Sequence, residues 1–316
     1  MSFPRVLFLG SAALFLLIGL WAGVKKMISV SSKTERTHNP SVAKQKAVTI
    51  SQPILREGGR VPSLDIVDQL FTTGPNKLPI VETMTYESSP PWLKGRPAWI
   101  ADYASHYATS CHFIARSLNG KADYFTQKIF PGSQFNVFRK DKNFQFYLLA
   151  DLSRCKMAFY YIDLDADERV LLKTYPIGVG KPSSTPSGNL TPVGRFRLGD
   201  KIGVYKPGMM GLFQNLQVEM ISVFGTRWIP FGSLIGEPSH FAKGLGLHGA
   251  PWIFDPKDNR WKENRNVIGS CESDGCIRMA FEDMEELFSI VITKPTIIEI
   301  VHRFEEAELP GREVSN

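Results

Sequence analysis

The chain has little cysteine, no concentrated charge and no internal repeat, and each shortage narrows what it can be. Its four cysteines, Cys111, Cys155, Cys271 and Cys276, make no Cys-x-x-Cys pair, and its histidines make no His-x-x-x-His pair. Zinc sites are built on such spacings, so His248, Cys271 and Cys276 are not read as metal ligands, and no cofactor is expected. Four cysteines are compatible with an oxidising compartment without demanding one. The net charge is only +6, from scattered lysines and arginines. With no basic helix and no aromatic RNA-binding signature, a nucleic-acid partner is not expected. The mild excess suits anionic polymers or lipid headgroups instead. What remains is a globular composition, 43% hydrophobic and 22% charged over 316 residues, enough for one large domain or two modest ones.

One long apolar run is present. Val6 to Val24 is uninterrupted and about long enough to span a bilayer, with Arg5 before it and Lys25 and Lys26 after it. It holds no cysteine to accept a lipid and no small-x-small cleavage site, so residues 6–24 are expected to be an uncleaved transmembrane anchor. Basic residues after the run (Lys25, Lys26, Lys33, Arg36) outnumber those before it. The positive-inside tendency therefore does not support a body outside the membrane; that placement has to come from chemistry. Residues 25–62 are polar, rich in Ser, Thr and Lys, and lack sustained periodicity. They read as a flexible linker.

Beyond the linker, a small α+β module at 63–140 precedes a mainly β domain at 144–303. "TYESSPPWLKGRP" (85–97) is an irregular connection, and Pro97 to Leu118 reads mainly as helix, with Trp99, Ile100, Tyr103 and Tyr107 close to helical spacing. "KIFPGSQFNVF" (128–138) reads as a turn into a strand. From 144 onward, "FQFYLLADLS", "KMAFYYIDLD" and "RVLLKTYPIGVG" are short strands rich in aromatic and β-branched residues. Helix is expected again only at 281–291, where Met284, Leu287, Phe288 and Val291 form an i, i+3, i+4, i+7 stripe. "TIIEIV" (296–301) closes as a strand. Many short strands with one late helix predict a β-sandwich or barrel carrying its site on loops.

A cysteine attacks a carbonyl as thiolate, and a free thiol with a pKa of roughly 8.5 is mostly protonated at neutral pH. It needs a histidine to take its proton and donors for the oxyanion. "GLGLHGAPW" supplies His248 followed by Gly249, and "SDGCIRM" supplies Ser273, Asp274, Gly275, Cys276 and Arg278. The amides at 275–276 are candidate oxyanion donors. Arg278 has two open readings, a fork for a substrate carboxylate or a salt bridge to the acidic helix that follows.

These segments resemble the L,D-transpeptidase catalytic domain, also called the YkuD domain. "LLADLSRCKMAFYYID" is similar to its opening strands, and "YPIGVGKPSSTPSGNLTPVGRFRL" to its Thr-Pro-x-Gly segment at Thr191, Pro192 and Gly194. "FGTRWIPF", "GLHG" and "SDGCIRM" resemble its central strand, histidine motif and Ser-His-Gly-Cys signature. The resemblance spans about 144–301 in family order. It implies that Cys276 is the nucleophile and His248 its base. Cys276 would form a thioester with a peptidoglycan stem peptide, and an amine acceptor would resolve it. It also implies a body facing the periplasm from the inner membrane. Two other readings are a stem-peptide hydrolase of the same fold and an inactive wall-binding scaffold.

The chain departs from the family pattern twice. Asp274 stands where the family has histidine, and a carboxylate near the cysteine opposes thiolate formation. The gap from His248 to Cys276 is long, and "APWIFDPKDNRWKENRNVIGSCE" reads as an inserted polar loop that either shapes the acceptor side of the cleft or decorates it. Among the other cysteines, a Cys111–Cys155 bridge and a Cys271–Cys276 bridge are both conceivable, the second switching the nucleophile off. Within the module, "HYATSCHFIARSLNGKADYFTQKIFPGSQFNVF" is similar in pattern to LysM-type carbohydrate-binding modules, an "IA" helix and a polar link leading into a strand. The alternative is an extension packed on the catalytic domain.

Overall fold

After a short 3-10 turn at Val67–Leu70, a two-stranded sheet packs against two short helices. They are β1 (Val81–Thr85), α1 (Ile100–His106), α2 (Cys111–Asn119) and β2 (Gln134–Phe138), with β1 and β2 antiparallel. This is a computed structural model, and it describes residues 61–314 apart from 122, 126, 186 and 236–241. The expected anchor at 6–24 and the linker as far as residue 60 lie outside the described residues. Among the described residues no helix is long and apolar enough to cross a membrane.

The single helix expected over Pro97–Leu118 is two helices. Ala108 adopts a left-handed φ of 45°, which an L-residue holds at a cost and which ends a helix. Ser110 then starts α2 as an N-cap, its hydroxyl accepting from the Phe113 amide at 2.9 Å. The same hydroxyl donates to the Ser289 carbonyl at 2.5 Å, tying the module to the late helix of the β domain.

The β domain opens as an antiparallel meander of β3 (Phe144–Asp151), β4 (Lys156–Asp163) and β5 (Glu168–Gly180). Next come β6 (Gly194–Leu198), β7 (Gly203–Val204), a hairpin of β8 (Met210–Phe213) and β9 (Leu216–Glu219), a one-turn helix α3 (Ile221–Phe224) and β10 (Arg227–Ile235). The chain continues through β11 (Gly246–Gly249), a hairpin of β12 (Trp252–Asp255) and β13 (Arg260–Glu263), β14 (Cys271–Ser273) and β15 (Ile277–Met279). It ends with α4 (Phe281–Val291), β16 (Thr296–Val301) and the short β17 (Arg312–Glu313). The main sheet runs β11-β15-β5-β4-β3-β16-β6-β10, and the pairing of β10 with β11 closes it on itself. Closure leaves no open edge along that path. The expected barrel is therefore present, with the predicted helix at 281–291 in place. The helix α3 and the β12–β13 hairpin stand where the sequence reading had no helix and a polar loop.

Burial on both faces explains why the middles of β3 (Phe146–Ala150) and β4 (Met157–Ile162) are continuously apolar. Phe144, Phe146, Leu148 and Ala150 enter the main core, while Tyr147 and Leu149 enter a smaller cluster on the other face. The main core also takes Val67, Leu70, Leu78, Val81, Phe113 and Phe138 from the module. The module keeps a second cluster of its own around Tyr86, Tyr103, Ile114 and Phe135. It thus packs as an extension of the β domain, and residues 57–316 form one compact unit.

Candidate active site

Cross-strand register brings the chemistry together. β11 and β15 run parallel, with His248 opposite Arg278 and Gly249 opposite Met279. Side chains two apart on a strand share a face, so Cys276 lies on the same face as Arg278 and hence as His248. Thiol, imidazole and guanidinium, separated by up to thirty positions in the chain, become neighbours on one patch of the barrel wall.

Burial dominates their electrostatics. The Cys276 thiol is pushed up to about 11 by loss of water; the Gly246 amide and the Arg278 charge pull it back, and Asp274 adds the smallest push upward. His248, 3% exposed, is pushed down to about 4, again chiefly by burial, and Arg278 lowers it further. Its Nδ1–H donates to the Gly249 carbonyl at 2.7 Å, and its ring meets Phe224 edge-on at 5.4 Å and Trp228 at 5.9 Å. At neutral pH both groups are therefore uncharged. Among the described residues no hydrogen bond links the thiol to the imidazole.

The residues around the nucleophile hold the loop more than they await a ligand. Ser273, 1% exposed, donates its hydroxyl to the Cys276 carbonyl at 2.6 Å and accepts the Gly275 amide at 3.1 Å. The Gly275 amide is thus already engaged, which removes it from the expected oxyanion donors. Gly275 has a φ of 117°, and a Cβ there would meet the Leu190 carbonyl at 2.8 Å, so only glycine fits this turn. Gly249 likewise serves the histidine through its carbonyl. Thr191, from the Thr-Pro-x-Gly segment, backs the loop from behind: it is buried and its hydroxyl accepts the Gly180 amide at 2.7 Å.

Asp274 turns outward. Its side chain is 72% exposed and pairs with Lys181 at 2.9 Å, away from the buried sulfur. Arg278 is the reverse case. It forms no ion pair among the described residues, and its Nε is buried without a hydrogen-bond partner. The expected alternative, a salt bridge from Arg278 to the helix after it, is not formed: Glu285 pairs with Arg227, Glu286 with Lys173, and Glu282 with Arg265.

The long gap between His248 and Cys276 is folded. β12 and β13 form a hairpin whose Glu263 accepts the Phe281 amide at 2.6 Å, capping α4 where its own N-cap, Ala280, has no side-chain donor or acceptor. Trp252 stacks edge-on against Phe281 at 5.7 Å. Sequence reading missed Gly246, Phe224, Trp228 and Lys181. Gly246 is glycine for a packing reason, since a Cβ would lie 2.3 Å from the Ile229 carbonyl. Of the cysteines, all four are free; Cys155 has Cys271, not Cys111, as its sulfur neighbour at 3.8 Å.

Comparison with known proteins bears on the β domain alone. Residues 145–300 match the model of the L,D-transpeptidase catalytic domain, YkuD. Among solved structures, Bd1075 of Bdellovibrio bacteriovorus aligns at 16% identity and TM-score 0.34, over 50% of this chain and 48% of that one. The helical cell shape determining protein Pgp2 of Campylobacter jejuni aligns at 16% and 0.33, over 54% and 51%. L,D-transpeptidase 3 of Mycobacterium tuberculosis aligns at 14% and 0.28, over 54% and 76%. The chain spans about half the length of the first two. No curated protein matches it. Cys276 and His248 both lie within residues 145–300, the segment that matches the family model of the L,D-transpeptidase catalytic domain, YkuD.

Proposed function

We propose that the protein is a peptidoglycan L,D-transpeptidase that carries a stem peptide as a thioester on Cys276. The observation behind this reading is the shared face of β11 and β15, where a thiol, an imidazole and a guanidinium with no carboxylate partner among the described residues stand together. Cys276 Sγ attacks the stem-peptide carbonyl while its proton passes to His248 Nε2, the ring nitrogen not held by Gly249. The tetrahedral intermediate collapses, and the terminal D-amino acid leaves with that proton on its amine. An acceptor amine, on a diaminopimelate side chain, attacks the thioester; His248 takes its proton and returns it to the sulfur. Arg278 holds a stem-peptide carboxylate in its planar fork. Because burial disfavours a free thiolate, proton transfer accompanies attack and does not precede it. The apolar run at 6–24 anchors the chain in the inner membrane, and the body faces the periplasm, where its substrate lies. The helix, polar link and strand at α2 and β2 support a wall-glycan contact of the LysM-like kind.

One observation favours the competing reading of an inactive wall-binding scaffold: the thiol is raised and makes no hydrogen bond to the imidazole. The full chain incubated with a carbapenem separates the two. Acylation of wild type, lost in Cys276→Ala, supports the nucleophile; a folded protein that stays unmodified sinks it. Muropeptide products then distinguish crosslinked dimers from the shortened stems of a hydrolase.

A further inference from the structure

We infer that Cys155 and Cys271 are a disulfide-forming pair, a covalent modification site separate from the nucleophile, which staples the strand leading into the Cys276 loop to the turn between β3 and β4. Their sulfurs lie 3.8 Å apart across 116 positions of sequence. A disulfide needs about 2.0 Å between sulfurs, so closure asks for a movement of under ~2 Å, within the reach of side-chain rotation.

Backbone ties make the approach a property of the fold. Cys155 sits in the β3–β4 turn at a left-handed φ of 49°, and its carbonyl accepts the Ile177 amide at 2.9 Å. Cys271 pairs opposite Val179 on the same strand, and the Val179 amide donates to the Ser270 carbonyl at 2.9 Å. Both cysteines are therefore docked on β5, two residues apart along it. Cys111, in α2, has no such neighbour, and Cys276 lies on the His248 face.

Their unequal exposure orders the chemistry. Cys271 is exposed and meets an external oxidant first; Cys155 is buried, its thiol pushed up to about 12 by burial and then by the neighbouring sulfur. The Cys271 thiolate attacks a disulfide oxidant, forming a mixed disulfide and releasing one oxidant thiolate. Cys155 then loses its proton and attacks Cys271 Sγ, forming the internal bond and releasing the second thiolate. Two electrons pass to the oxidant, which leaves as two thiols. The closed pair occupies Cys271, the thiol that would otherwise be free to bridge to Cys276 five residues on. None of this depends on acyl transfer by Cys276.

The full chain, purified reduced, is equilibrated in glutathione buffers of increasing oxidised fraction, quenched in acid, denatured, alkylated and mapped by mass spectrometry. Cys155 and Cys271 are expected to leave the alkylatable pool together, two of the four thiols, with a peptide pair linked through them, while Cys111 and Cys276 stay alkylated. A Cys271–Cys276 link, a glutathione adduct that persists on Cys271, or four alkylated thiols in the most oxidising buffer each overturns the inference. In Cys271→Ser, an exposed change that leaves the core untouched, Cys155 is expected to remain fully alkylatable at every ratio. Protection of Cys155 in that variant would assign its oxidation to another partner and overturn the pairing.

Discussion

Two arginines 51 positions apart in the chain, Arg227 and Arg278, show how the same side chain is used differently. Arg227 is buried on β10 with its charge answered by a carboxylate: it pairs with Glu285 of α4 at 2.8 Å, its Nη1 donates to the Thr226 carbonyl at 2.9 Å, and Thr226 itself bonds Glu285, although the Arg227 Nε, like that of Arg278, has no hydrogen-bond partner. Arg278, on β15, is half-buried and has no carboxylate among the described residues. Around Arg227 the fold settles its own charges. Around Arg278 it leaves one open, next to a thiol and an imidazole that burial has neutralised. A buried cation is costly without a partner, so the open one is where a ligand carboxylate gains most.

Removing the internal answer gives the largest expected effect. Glu285→Ala takes away the carboxylate paired with the buried Arg227, and loss of one partner of such a pair costs about 3–5 kcal/mol. The urea midpoint should drop accordingly, and replacing both residues by apolar ones of similar volume should recover most of it. If Glu285→Ala unfolds no earlier than wild type, the contrast between the two arginines fails at its structural end.

The neutral histidine sharpens the other end through pH. His248 falls from its ordinary value of about 6.5 to about 4 on folding, so between those values the unfolded chain binds the proton and the folded one does not. Stability is therefore expected to decline as pH falls from about 6.5 to about 4, by on the order of 3 kcal/mol, and to level off below. His248→Gln should flatten that decline. For the thiol the sign reverses: Cys276 keeps its proton longer when folded, so stability should fall as pH rises from about 9 to about 11, and Cys276→Ala should remove that fall.

Arg278 should behave oppositely to Arg227. Truncating Arg278 to Met removes no internal ion pair, so stability should hold, while transpeptidation loses a desolvated charge contact of about 2 kcal/mol or more, roughly 30-fold in kcat/KM. The loss should fall mainly on KM, and Arg278→Lys should restore only part of it, because an ammonium lacks the two-pronged geometry. A large loss of stability with unchanged kinetics would make Arg278 structural after all.

The contrast also marks what could be read from residues alone. The strands β3 to β5 and the helix at 281–291 were legible because aromatic and β-branched runs, and a 3.6-residue stripe, are local signals. Cys276, His248 and Arg278 were legible through motif. The break at Ala108 was not, since neither proline nor glycine marks it. The β12–β13 hairpin, in which Phe254 faces Trp261 across the strands, was masked by its polar turn. Gly246 and Trp228 acquire their roles from cross-strand register, Phe224 from the placement of α3 against the His248 ring, and the Cys155–Cys271 approach from a shared dock on β5. Those are long-range facts that no local pattern encodes.

Asp274 is the finest test, because it is a charge close to the site that the fold nevertheless directs away from it. Its partner Lys181 and its exposure mean solvent screens most of its field, and burial outweighs it as a cause of the raised thiol. Asp274→Asn should therefore lower the midpoint of the pH profile for Cys276 alkylation only slightly, and change the alkylation rate at fixed pH by less than about fivefold, the scale of an exposed pair. Lys181→Ala, which unmasks the carboxylate, should shift the midpoint the other way by a similar amount. A change of a hundredfold in either variant would mean that Asp274 governs the sulfur directly, and that the substitution at this position, more than burial, sets the reactivity of the nucleophile.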